Sequence, residues 1–165
     1  IIFKKEIKKN LNYKGENLLL VPSIKSEKKK LIEICLKNMK SSRFDLDKRI
    51  SNKLIKKIRY NWVSSYFLNI KKRIIYSVKV KNKLIGLLCI KKEKANIIID
   101  LITLNKKFIG KGIGKKMIKF LEVNFTNHKN ILVGTYKENK KAVLFYKNNG
   151  FKRFKTYEVY HCYEK

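Results

Sequence analysis

Between Ile74 and Leu104 three apolar, β-branched segments follow one another with only short polar breaks, and this constrains the fold more than any other feature of the chain. Ile74 to Val80 alternates loosely, Lys81-Asn82-Lys83 reads as a turn, and Leu84 to Lys91 and Ala95 to Leu104 read as two further strands. Breaks this short hold no crossover helix, so the three segments predict an antiparallel meander.

The sequence on either side has a different period. Leu18 to Val21 is a short apolar run ended by Pro22 and suits a buried strand. Leu31, Ile34, Cys35 and Asn38, with Ile32 beside them, follow helical spacing, and Ser23 or Ser26 can cap that helix. The polar stretch Lys40-Ser41-Ser42-Arg43 interrupts. A second helix is marked by Leu54, Ile58, Trp62 and Tyr66, with Ile55 and Val63 adjacent and Ser51 as its cap. Beyond the meander, Gly110-Lys111-Gly112-Ile113-Gly114 opens a helix faced by Ile113, Met117, Ile118, Leu121 and Phe125. Asn130 to Thr135 reads as a strand, and Asn139 to Asn149 as a helix that Gly150 ends. Phe151 to Phe154 and Tyr157 to Tyr163 form a final strand or strand pair. The expected order is strand, two helices, three strands, helix, strand, helix, strand. That is a single α/β (α+β) domain around one sheet, and 165 residues suffice to bury its core.

The net charge of +30 invites a nucleic-acid reading. Only five of the 42 basic residues are arginines, however, and the lysines are spread along the whole chain. Asn and Ile are abundant too, and Lys, Asn and Ile share A- and T-rich codons. A coding bias with a solvated surface accounts for this better than a nucleic-acid footprint, which leans on bidentate arginine. The charge still draws anionic ligands. Cys35, Cys89 and Cys162 form no C-x-x-C pair, and His128 and His161 make no ligand cluster, so neither a disulfide framework nor a metal site is expected. Free thiols suit a cytoplasmic protein. No segment has the roughly 18 apolar residues that a membrane span needs. The chain begins with Ile1 instead of Met, and reads as trimmed or as the C-terminal part of something longer.

A glycine-rich turn between a strand and a helix can cradle phosphate, because the first helical amides lack internal partners and the helix dipole is positive there. Lys111 and Lys115 add charge at its rim. The spacing fits neither a Walker loop nor a dinucleotide fingerprint. A turn that merely eases a tight connection is the alternative. A second element follows about 25 residues later: Asn139-x-x-Ala142-x-x-x-Tyr146-x-x-x-Gly150-Phe151, in which Asn139, Ala142 and Tyr146 share a helical face.

These two elements, in this order and at this separation, resemble the GNAT superfamily of acetyl-coenzyme A-dependent N-acetyltransferases. Its loop [RQ]-x-x-G-x-[GA] is matched by Ile109 to Gly114, and its N-x-x-A-x-x-x-Y-x-x-x-G-F run by Asn139 to Phe151. The departure is Ile109, where the superfamily has Arg or Gln. The resemblance implies a GNAT fold with a mixed, mostly antiparallel sheet and about four helices. It implies an acceptor-side half over 1–95 and an acetyl-CoA half over 96–165. It also implies that backbone around Ile102, Thr103 and Leu104 pairs with the pantetheine arm. Gly110, Lys111, Gly112, Ile113, Gly114 and Lys115 would hold the pyrophosphate, Asn139 and Ala142 would contact the cofactor, and Tyr146 would protonate the leaving thiolate. Attack by an amine also needs a proton acceptor and oxyanion donors, one expected near Leu104. Asp100 and Glu138 are candidates for the base, with a structural ion pair or an exposed carboxylate as the alternative and ordered water as another relay.

For the acceptor, Ser42-Arg43-Phe44-x-x-Asp47, the run Ile58-Arg59-x-x-Trp62-Val63-x-x-Tyr66, and Val159-Tyr160-His161 look similar to dTDP-fucosamine N-acetyltransferases. That likeness implies a nucleotide-linked amino sugar, with Arg43 meeting a phosphate and Tyr66 or Trp62 packing on the sugar; Trp62 also lies on its helix's apolar stripe, as a core residue would. The partners expected are acetyl-CoA and a small amine, without metal, specific nucleic acid or a membrane span, and with pairing into a homodimer left open. Other acceptors (a protein amine, a polyamine, an antibiotic) and a non-catalytic CoA-binding module stand as alternatives.

Overall fold

The computed structural model describes residues 1–8, 18–39, 42–68 and 70–163. Its strands are β1 (Ile2–Glu6), β2 (Leu18–Pro22), β3 (Arg73–Val80), β4 (Lys83–Glu93), β5 (Asn96–Leu104), β6 (Asn130–Gly134) and β7 (Lys152–Lys155). Its helices are α1 (Lys28–Asn38), α2 (Arg43–Leu46), α3 (Asn52–Ser65), α4 (Ile113–Asn124) and α5 (Lys140–Asn148). The strands form one sheet in the order β2-β3-β4-β5-β6-β1-β7. Every neighbouring pair is antiparallel except β5 and β6. The expected meander is β3-β4-β5. Its first turn is closed by Lys81 and Asn82 at φ 47° and 60°, the left-handed pair that a two-residue hairpin requires.

Apolar side chains are sorted onto two faces. Leu31, Ile32, Cys35, Val63 and Tyr66 of α1 and α3 pack on Ile75, Leu87, Cys89 and Leu101. On the other face α4, through Ile113, Met117, Ile118 and Leu121, packs with Leu88, Ile90, Ile97, Ile99, Ile131 and Val133, and Tyr146 joins from α5. Ser51 caps α3, its hydroxyl accepting from the Leu54 amide at 3.2 Å. Neither Ser23 nor Ser26 caps α1. A 3-10 turn at Lys25–Glu27 leads into that helix instead, and the Ser23 hydroxyl bonds Ser77 at 2.8 Å.

Three elements differ from the expected order. β1 is an addition to it: only Phe3 is buried, and the strand exists because β6 and β7 pair with it on both sides. α2 is a fifth helix of one turn, too short to show a period. Its Ser42 amide and hydroxyl donate to the Asp45 carboxylate at 2.6 and 2.5 Å. Lys40 and Ser41, the start of the polar interruption, lie outside the described residues. At the end of the chain only Lys152–Lys155 is strand, and residues 156–163 cross the molecule without regular structure.

Candidate active site

The site begins with a bulge. Cys89 pairs with Leu101 and Ile90 with Ile99, so Asp100 is an extra residue in β5. Strict alternation would put Ile99 and Leu101 on one face. The bulge separates them: Ile99 joins the core under α4, and Leu101 the core under α1 and α3. A bulge also bends its strand. The parallel pairing of β5 with β6 runs from Asn96–Asn130 to Ile99–Val133 and stops there, while β5 continues to Leu104. Beyond Ile99 the two strands splay. Along this notch the β6-facing backbone groups of β5 have no strand partner among the described residues, and a linear ligand can pair with them as an added strand. Ile102, Thr103 and Leu104, all half-buried, form its β5 side.

Asp100 is held in place from three directions. One oxygen accepts from Trp62 Nε1 at 2.7 Å and the Tyr66 hydroxyl at 2.6 Å, and the other from Lys91 Nζ at 2.8 Å. Burial pushes its pKa up, but Lys91, Trp62 and Tyr66 together outweigh that and hold it below the usual carboxylate value. Such a carboxylate makes a poor proton acceptor. Asp100, expected as a catalytic base, has donors on both oxygens and pins the bulge that opens the notch. Tyr66, expected against the sugar, is 5 % exposed and gives its hydroxyl to Asp100. Trp62 is half-buried.

The glycine loop lies at the open end of the notch. Gly110 and Gly112 have φ of 82° and 73°, and a side chain built at either meets nothing within 4 Å. Backbone conformation demands glycine there, and the space above the loop is open to a bulky anion. The first helical bond is from the Lys116 amide to the Gly112 carbonyl, 3.1 Å, which leaves the amides ahead of it aimed outward. Gly114 is glycine for another reason: a Cβ there would lie 2.8 Å from the Phe145 ring, so its absence lets α4 approach α5. Ile109, at the departing position, is exposed. Its side chain gives the loop no polar contact, and the amides and the two flanking lysines remain.

α5 supplies the remaining cofactor-side residues. Asn139 caps it, its Oδ1 accepting from the Ala142 amide at 3.2 Å. Ala142 packs against the core. Tyr146 is 4 % exposed among Phe3, Phe145 and Phe151, and burial raises its pKa well above the ordinary phenol value. A phenol so placed stays protonated, with its proton still in place when a thiolate departs.

On the acceptor side, the exposed guanidinium of Arg43 lies 4.8 Å from the Phe44 ring centre. Arg59, buried on α3, takes Asp45 through one nitrogen at 2.6 and 2.5 Å and so ties α2 to α3. The C-terminal segment returns here: His161 stacks on Phe44 with ring centres 5.7 Å apart and bonds Asp47. The two runs Ser42–Asp47 and Val159–His161, separate in the sequence, thus meet. Glu138 makes no ion pair among the described residues and is distant in sequence from this cluster. The described residues contain no group of three or more His, Cys, Asp and Glu able to hold a metal, and no helix long and apolar enough to cross a membrane. Cys35 and Cys89 are buried free thiols and Cys162 an exposed one.

Residues 71–153, about half the chain, match the Acetyltransferase (GNAT) domain family. No curated protein matches the chain. Among solved structures, a GNAT family acetyltransferase from Elizabethkingia anophelis with acetyl-CoA bound is similar at TM-score 0.57 and 19 % identity, over 86 % of this chain and 80 % of that one. An acetyltransferase from Thermus thermophilus gives 0.64 at 17 %, over 83 % and 88 %. The aminoglycoside antibiotic 6′-N-acetyltransferase of Acinetobacter haemolyticus gives 0.65 at 9 %, over 89 % and 99 %. At such identities the likeness is one of fold.

Proposed function

This chain belongs to the acetyltransferase (GNAT) family, and on that premise we propose that it acetylates the primary amine of an anionic small molecule, a nucleotide-linked amino sugar. It is an acetyl-CoA-dependent N-acetyltransferase. The observation that carries the site assignment is the notch: β5 parts from β6 at the Asp100 bulge and opens toward a helix whose leading amides are unpaired. We assign residues 96–165 to acetyl-CoA and 1–95 to the acceptor side. The pantetheine arm pairs along Ile102–Leu104, and the pyrophosphate sits over Gly110–Lys115. Asn139 keeps its side-chain amide nitrogen for the cofactor while its oxygen caps α5. Tyr146 protonates the departing thiolate.

Three features support an anionic acceptor. The net charge is +30, which repels polyamines and aminoglycosides. Arg43 presents an exposed guanidinium at the acceptor loop, suited to phosphate. Arg49 lies close by, its guanidinium 3.9 Å from the Tyr163 ring centre. Pairing into a homodimer has no role in this proposal. The test is thiol release from acetyl-CoA with dTDP-4-amino-4,6-dideoxygalactose, glucosamine 6-phosphate, an N-terminal peptide and tobramycin as acceptors. The proposal expects turnover with the nucleotide sugar, and expects Arg43→Ala to raise its KM more than that of acetyl-CoA. Preference for tobramycin or the peptide, or an equal effect on both KM values, would remove the acceptor assignment and leave the acetyltransferase itself in place.

A further inference from the structure

Acetyl transfer to an amine needs a group that removes a proton from the ammonium, and Asp100 does not serve. A different pair is built on the acceptor side. His161 Nδ1 lies 2.8 Å from Asp47 Oδ2, although the two are 114 positions apart in sequence. The same oxygen accepts from the Tyr163 hydroxyl at 2.5 Å, and the other oxygen accepts from the Arg49 amide at 3.0 Å and Nε at 3.4 Å. The Tyr163 hydroxyl above all, then His161 and Arg49, hold this carboxyl far below the usual range. An ionised carboxylate only accepts, so the imidazole must carry its proton on Nδ1, and the neutral ring offers its lone pair at Nε2. No described group bonds Nε2. The stacked Phe44 ring, 10° from parallel, fixes the imidazole plane, and the side chain is 21 % exposed.

Hydrogen bonds tie the elements beside this pair to the bulge and to the end of β5. Asp45 binds α2 to Arg59 of α3, and three residues further along that helix, roughly 4.5 Å, Trp62 donates to Asp100 at the bulge. At the end of α1, Asn38 Oδ1 accepts from the Lys106 amide just past β5, at 3.1 Å. Asn38 thus anchors the end of α1 beside the end of β5. The tail carrying His161 reaches the loop carrying Asp47 from β7, across the notch from β5 in the sheet order.

We propose that His161, oriented by Asp47, is the proton acceptor for the attacking amine. This rests on the acetyltransferase reading of the site and adds a residue to it. The ammonium gives one proton to Nε2, forming an imidazolium beside Asp47. The freed lone pair forms the N–C bond to the thioester carbonyl carbon. Collapse of the tetrahedral intermediate breaks the C–S bond; the sulfur takes a proton from the Tyr146 hydroxyl, and the second proton lost by nitrogen restores the phenol. The imidazolium releases its proton to water. Ammonium and acetyl-CoA thus become amide, thiol and one free proton. Among the described residues, the charged and titratable groups linked to His161 by contacts are Asp47 and Arg49 from the loop, Tyr163 from its own segment, and, through Phe44, Arg43 from α2.

Two measurements decide it. The first needs no acceptor: 15N-imidazole NMR of the full chain, with His128→Asn to assign the two rings. The proposal expects the Nδ1–H tautomer for His161, and an Nε2–H tautomer would overturn it. The second is kcat/KM against pH for dTDP-4-amino-4,6-dideoxygalactose. Wild type should rise and then level once the imidazole is neutral. His161→Asn, which can keep a donor toward Asp47, should lose about 10²- to 10⁴-fold, and its profile should climb on until the amine itself deprotonates. Asp47→Asn should also slow turnover, by releasing the tautomer. A His161→Asn profile that levels where wild type does, with only KM raised, would make His161 a mere wall of the pocket and refute the proposal. Wild type inert toward this amine would refute the nucleotide-sugar acceptor instead, and the tautomer would then decide His161.

Discussion

Replacing Asp100 by Asn separates a pin from a base. The asparagine oxygen can still accept from Trp62 and Tyr66, now 2.7 and 2.6 Å from the Asp100 oxygen, but each bond loses its charge assistance, about 0.5–1 kcal/mol apiece. The new amide group faces Lys91, whose ammonium lies 2.8 Å from the other oxygen, with side chains 29 % and 15 % exposed. Losing that partly buried pair costs roughly a further 1–2 kcal/mol, below the figure for a fully buried one because Lys91 can turn to water. The sum is about 2–4 kcal/mol, which for a domain of this size lowers Tm by roughly 5–15 °C. Because the bulge directs β5 away from β6, acetyl-CoA should also bind less tightly. Calorimetric unfolding, acetyl-CoA titration and a pH–rate profile at a temperature where the variant stays folded would test this. The reasoning predicts a large fall in Tm and a pH profile of unchanged shape. A Tm within about 2 °C of wild type, together with loss of the rising, low-pH limb of the profile, would refute it and restore Asp100 as the base.

Tyr146→Phe should slow turnover by about 10²-fold or more with acetyl-CoA affinity nearly unchanged, since the ring keeps its packing against Phe3 and Phe151; single-turnover kinetics beside a binding titration would read this. The Cys35 thiol is pushed up to about 11 by burial, from an ordinary 9.0. Its folded pKa is raised, so its contribution is fully present below pH 9.0 and is lost as pH rises toward 11. Two units correspond to about 2–3 kcal/mol, and urea midpoints should fall more steeply over that window for wild type than for Cys35→Ala.

What the sequence makes legible is what local spacing encodes. The meander from Ile74 to Leu104, the helix after Gly112 and the cap at Ser51 each follow from period or turn chemistry within a dozen residues. β1 is hidden because Lys4, Lys5 and Glu6 carry no apolar alternation; pairing with strands more than a hundred residues away makes it a strand. α2 is hidden by its brevity. The bulge at Asp100 cannot be read from Ile97 to Ile102, where apolar residues stand at every other position and between, so no period marks which residue is extra. An isoleucine run with one aspartate in its middle is the available signal, and it suggests a catalytic carboxylate where the fold holds a pinned defect. The Asp47–His161 pair is out of reach for a simpler reason: its members are joined only when the tail crosses the molecule.

The central claim is that the loop and notch of this chain hold acetyl-CoA. Isothermal titration of acetyl-CoA into wild type and Gly112→Val tests it most directly, because a valine at φ 73° distorts the loop while its side chain meets nothing. The account predicts one saturable site per chain in wild type, at least about tenfold weaker in the variant, which is about 1.4 kcal/mol, with controls in DNA giving only salt-sensitive, unsaturating heat. No saturable binding to wild type, or equal binding to both proteins, would contradict it.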